Sequence, residues 1–158
     1  MKIFFICSLF MYSLFASIEF KETRYMAALD FEKERYGVLT ITEKTLTLSY
    51  KKPSIEIITY SDTKITIQSE DDTKEYTFEE YPRAKYMGLI LRTIINKNYD
   101  SLDNIFKVSK VEDILLLTSL PIISDMVEYI EVQENINSKK IMTFFMSNKD
   151  KITIETSN

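Results

Sequence analysis

Apolar and polar residues alternate with a period of two through most of this chain. In "TLTLSY", residues 45–50, Leu46, Leu48 and Tyr50 alternate with Thr45, Thr47 and Ser49. That is the pattern of a strand with one oily face. Lys51, Lys52 and Pro53 interrupt it, and Ile55 and Ile57 resume an alternation that returns at Ile65 and Ile67. Strands are predicted at 18–25, 36–42, 46–50, 55–60, 65–69 and 75–78, with the polar turns "SDTK" and "EDDTK" separating the last three. Residues 26–35 fit either a loop or a short helical turn. The period then changes. Pro82 suits a first helical turn, and after it apolar residues fall at Tyr86, Met87, Ile90, Leu91 and Ile94, one side of a helix over 83–96. Gly88 inside that helix fits either a close approach or a local bend. "NKNYDSLDNIF" ends it and predicts a short second helix, capped by Asp100 or Ser101. Strands return at 106–111, 114–120, 126–133, 141–146 and 151–155.

These elements predict a mainly β fold with one helical insertion. A sheet with a bare oily face has to curl and be covered, here by the inserted helix. The expected architecture is a half-open antiparallel β-barrel under a helical lid. Its interior is either packed solid or left as a greasy cavity.

The first residues change the domain picture. "MKIFFICSLFMYSLFAS" has Lys2 at its head, an uncharged apolar run over 3–15, and small residues at Ala16 and Ser17. It reads as a secretory signal peptide over 1–16, followed by one domain over 17–158. The run is shorter than the ~20 residues of a membrane-spanning helix. Cys7, the only cysteine, lies inside it. The exported chain would carry no thiol and would depend on its core alone.

Composition removes several kinds of chemistry. Histidine is absent, which excludes His-based triads and most zinc and iron sites. Gly37 and Gly88 are the only glycines, so there is no phosphate-cradling loop. The formal net charge is −4, without the basic stripe of a nucleic-acid binder. The pairs Lys51–Lys52 and Lys139–Lys140 read as solvated residues flanking turns. Asp71–Asp72 fall in a turn, and Glu79–Glu80 would point to opposite faces of a strand, so neither is a convincing catalytic carboxylate pair. No enzyme, metal or cofactor is expected.

Ordered landmarks then point to a family. "FKETRY" (20–25), Leu29, Gly37-Val38-Leu39, and "TLTLSYKKP" with Leu46 and Pro53 come first. Tyr81-Pro82, Tyr99-Asp100, Leu102 and Phe106 follow, then "LLLTSLP" ending at Pro121, then Met126, Ile130 and Val132, and finally "MSNKDKITI". This series resembles the LolA-like periplasmic carriers across essentially the whole mature chain. The resemblance implies a half-open barrel whose cavity binds acyl chains and carries them across the periplasm without chemistry. It also implies a lipid or lipoprotein as cargo, an inner-membrane exporter as donor, an outer-membrane acceptor, and a monomer. The family's latch, a basic residue beside a proline, is absent here, where the position reads Glu43-Lys44-Thr45, and the family's tryptophans are absent too.

Candidate site residues follow from pattern and resemblance together. Phe20, Leu46, Leu48, Ile57, Ile65, Ile67 and Phe78 would line the cavity, and Met87, Ile90, Leu91 and Ile94 would form the underside of the lid. Glu22 and Arg24 would stand at its rim as a head-group contact or latch, or else be a solvated pair. Periodicity alone favours an ordinary core, and it is the resemblance that shifts the reading toward a cavity. The competing expectation is therefore a non-catalytic periplasmic interaction module with a solid interior.

Overall fold

The structure, a computed structural model, describes residues 16–135 and 139–157. Eleven strands form one antiparallel sheet: β1 (Ala16–Met26), β2 (Phe31–Ile41), β3 (Leu46–Lys52), β4 (Glu56–Tyr60), β5 (Lys64–Ser69), β6 (Thr73–Thr77), β7 (Phe106–Val111), β8 (Ile114–Ser119), β9 (Val127–Glu134), β10 (Lys140–Met146) and β11 (Lys151–Ser157). The spatial order is β6-β5-β4-β3-β2-β1-β11-β10-β9-β8-β7. The chain therefore meanders outward to β6, crosses to the far edge, and meanders back until β11 joins β1. The sheet does not close into a barrel, since β6 and β7 are its two edges.

The crossing segment carries the single α-helix among the described residues, α1 (Ala84–Asn96). It ends at Lys97, whose left-handed backbone (φ 57) turns the chain and lets its N–H meet the Thr93 and Ile94 carbonyls. The expected second helix is a 3₁₀ turn at Tyr99–Leu102. Residues 26–35 depart further from expectation. Only Ala27–Leu29 form a 3₁₀ turn, Asp30 is left-handed (φ 46), and β2 already begins at Phe31. The run "EKER" (32–35) is charged on both faces, so it carries no alternation to betray the strand.

The helix spans from one sheet edge to the other in sequence, so it lies across the apolar face. Ile90, Leu91 and Ile94 are fully buried there, in one cluster with Leu39 and Leu46 from one half of the sheet and Leu117, Ile130, Met142 and Phe144 from the other. The burial is uneven, however. Ile67 on β5, Tyr76 on β6 and Phe78 are only half-buried and lie outside this cluster. Sealing is tight over the middle of the sheet and incomplete toward β5 and β6.

The predicted signal segment lies outside the described residues except for Ala16, which opens β1 opposite Ile41. Among the described residues, no helix is long and apolar enough to cross a membrane.

Candidate functional site

Antiparallel pairing places facing residues on the same side of a sheet. Leu48 faces Ile58, which faces Ile67, and Leu46 faces Tyr60, which faces Ile65. These residues form the helix-covered face. Ile57 faces Ser49 and Gln68 instead, and so sits on the outer face. The expectation for Ile57 is corrected to Ile58. Two isoleucines stand side by side in "EIITY", and alternation could not choose between them without the register.

Phe20, Leu46, Leu48 and Ile65 are buried as core, and Ile67 is half-buried. Phe78, just past β6, and Met87 on α1 are also half-buried. Ile90, Leu91 and Ile94 face the sheet and are sealed. The space beside them is a cleft of about 340 Å³ between α1 and the β2–β3 and β4–β5 turns. Leu46, Tyr60, Phe78, Gly88 and Leu89 supply its apolar walls, while Glu43, Asp62, Lys85 and Arg92 stand among its polar ones. The volume falls at the low end of the ~300–1,000 Å³ typical of small-molecule sites.

Gly88 sets the depth of this cleft. A Cβ at that position would lie 2.7 to 2.9 Å from Cδ1, Cγ and Cβ of Tyr60. Only a residue without a side chain lets the helix approach that ring. Of the two roles open to Gly88, close approach is the one observed. Burial pushes the Tyr60 hydroxyl up to about 12, with Glu22 adding to it.

Two side chains fasten the C-terminal half of α1. Arg92 Nη1 donates to the carbonyls of Thr42 (2.7 Å) and Glu43 (3.2 Å) in the β2–β3 turn. Lys140 Nζ donates to the carbonyls of Ile94 (2.9 Å) and Ile95 (2.8 Å). A cation at a helix C-terminus both satisfies free carbonyls and matches the helix dipole. Lys140 is therefore a buried staple rather than a solvated turn residue, and burial holds its ammonium below the usual lysine range. Lys139 remains partly solvated and pairs with Glu155 at 2.8 Å. The N-terminal half of α1 is tied less closely. Its Arg83 pairs with the exposed Asp125.

Glu22 is not a solvated residue. It is 3% exposed, and its carboxylate is fully used. Oε1 accepts from Arg35 Nε (3.1 Å) and Nη2 (2.9 Å), and Oε2 accepts from the Tyr50 hydroxyl (2.6 Å). Arg35 Nη1 reaches Glu56 at 2.7 Å, and the guanidinium lies 3.6 Å from the centre of the Tyr50 ring. Burial, then Glu22, raise the Tyr50 hydroxyl well above the ordinary tyrosine range. Arg24, the expected partner, is 44% exposed and makes only a 3.5 Å contact with Glu22. The sequence reading missed Arg35 because it fell in the stretch not assigned to a strand. Once β2 extends to Phe31, Arg35 faces Glu22 across the hairpin.

Chemically, the cleft offers an apolar wall, charges of both signs and no array of reacting groups. Among the described residues no group of three acidic, cysteine or histidine side chains is placed to hold a metal. Neither models of known protein families nor curated proteins match the chain.

Proposed function

We propose that this domain is a non-catalytic carrier that shelters an acyl chain between α1 and the sheet. It would work in the periplasm, receiving a lipid or acylated molecule from an inner-membrane exporter and yielding it to an outer-membrane acceptor. The observation that carries this proposal is the uneven seal of the apolar face. The helix closes the middle of the sheet, yet leaves a cleft walled by Leu46, Tyr60, Phe78 and Leu89 at its side. The resemblance of the ordered landmarks to LolA-like carriers agrees with that function, and the half-open barrel which the resemblance implies is part of the proposal. Each CH₂ transferred from water contributes about 0.8 kcal/mol, so a long chain could displace α1 from part of the sheet. The start of the helix, held by the exposed Arg83–Asp125 pair, is the part proposed to move.

One observation favours the competing function, an interaction module with a solid core. Ile90, Leu91 and Ile94 are completely buried by the protein's own side chains. Uptake of a fluorescent fatty acid separates the two. The carrier binds it, and Leu89→Glu, a change at a partly exposed cleft residue, weakens uptake at least tenfold without altering the fold. No uptake by the unmodified protein, or uptake indifferent to Leu89→Glu, overturns the proposed site.

A further inference from the structure

Contact on two sides fixes the depth of the cleft beside α1. Gly88 already meets the Tyr60 ring, so the helix cannot come closer to the sheet. Leu46 beneath is fully buried, so the floor cannot drop while the helix stays in place. The open space is about 340 Å³. A chain methylene fills much the same volume as one liquid water, ~30 Å³, so the space takes a single chain of about a dozen carbons. The two long chains of a membrane phospholipid do not fit in it together.

Four charged side chains stand around the opening: Glu43, Asp62, Lys85 and Arg92. Their charges sum to zero, and among the described residues none of them belongs to an ion pair. Lys85 Nζ lies 5.3 Å from the centre of the Tyr86 ring. Lys85 and Arg92 are two turns apart on one side of α1, with Leu89 between them. Arg92 and Glu43 are neighbours in space, since Arg92 Nη1 donates to the Glu43 carbonyl at 3.2 Å. Among the described residues, Arg92 Nε and Nη2 have no acceptor, and the exposed Glu43 carboxylate accepts no hydrogen bond. One end of the cleft therefore presents a cation and an anion side by side, each with hydrogen-bonding capacity unused.

We propose that the guest of this cleft is a single-chain zwitterionic amphiphile of the lysophospholipid class. The inference rests on the carrier function proposed above and names its cargo. The tail lies between Leu46, Tyr60, Phe78 and Leu89. The phosphate meets the free side of the Arg92 guanidinium, whose planar fork suits it, and the ammonium meets the Glu43 carboxylate. A head of one sign fits worse. An anionic head approaches Glu43 and Asp62 with nothing to offset them, and a cationic head does the same to Lys85 and Arg92.

Isothermal titration calorimetry with alkylphosphocholines, kept below their micelle concentrations, tests tail and head together. Affinity should climb about fourfold per added methylene from eight carbons upward. It should level off at about twelve carbons, where the tail has filled the cleft. At that length the phosphocholine should bind about fivefold tighter than dodecanoate or dodecyltrimethylammonium, the factor for one charge contact at ~4 Å in water. Glu43→Gln, at an exposed side chain whose carboxylate holds nothing in place, should erase the advantage over dodecanoate and keep the length profile. Affinity that climbs on to sixteen carbons, or three heads bound alike, overturns this cargo and leaves a carrier of something else. No binding of any of these probes overturns the carrier function as well.

Discussion

Replacing Gly88 with alanine sets two effects of known size against each other. Alanine is the better helix former by about 1 kcal/mol in a helix interior. On an open helix face Gly88→Ala would therefore stabilise. Here the new methyl would lie 2.7 Å from Cδ1 and 2.9 Å from Cβ of Tyr60. Both are well inside normal contact, and Cβ is the stem of the ring, fixed by β4, so it cannot swing away. Overpacking of this kind costs about 1–3 kcal/mol. The clash should win, leaving a net loss of about 1 kcal/mol. Urea unfolding followed by circular dichroism measures it, with an unchanged m-value as the check that only stability moved. The same substitution in a Tyr60→Gly background, which removes the Cβ as well as the ring, should reverse sign and stabilise by about 1 kcal/mol relative to that background, giving a coupling of about 2 kcal/mol. If Gly88→Ala stabilises while Tyr60 is present, α1 does not rest on that ring and the cleft wall is misplaced.

Glu22→Ala should cost about 3 kcal/mol, or a fall of roughly 10 °C in Tm, because it strands Arg35 and the Tyr50 hydroxyl. Calorimetry showing a loss below about 1 kcal/mol would mean the pair is largely hydrated. Alkali should unfold the protein through its buried tyrosines. The native state keeps the Tyr60 proton to about 12, whereas the unfolded chain gives it up near ~10. Stability is therefore full below about pH 10 and falls as pH rises toward 12. Tyr60→Phe should flatten that fall when urea midpoints at the two pH values are compared. Lys140→Met should cost about 2–4 kcal/mol by stranding two helix carbonyls. It should also raise amide exchange over the last turn of α1 more than over its first, and uniform protection along α1 would refute the staple.

Legibility in the sequence followed the strength of the local signal. Clean alternation such as "TLTLSY" located β3, and one-sided spacing from Tyr86 to Ile94 located α1 to within a residue of its start. Three features stayed hidden, each for a physical reason. The start of β2 is charged on both faces because it runs past the end of β3, so no period marks it. The inward isoleucine of β4 depends on a register that only strand pairing fixes. Lys140 occupies an inward position in the alternation with Met142 and Phe144, but its adjacency to Lys139 made it look solvated. The long reach of its ammonium to α1 is a tertiary fact that no window of sequence contains. The edges of the sheet were equally unreadable, since curvature without closure depends on the pairing of strands far apart in the chain.

Native mass spectrometry of the protein purified without detergent tests the proposed carrier function most directly. The account predicts a bound mass in the lipid range, released by organic solvent, and less of it from the Leu89→Glu variant. A clean unliganded mass, with no uptake of added fatty acid or phospholipid, would contradict it and leave the oily face of "TLTLSY" meeting only the protein's own helix.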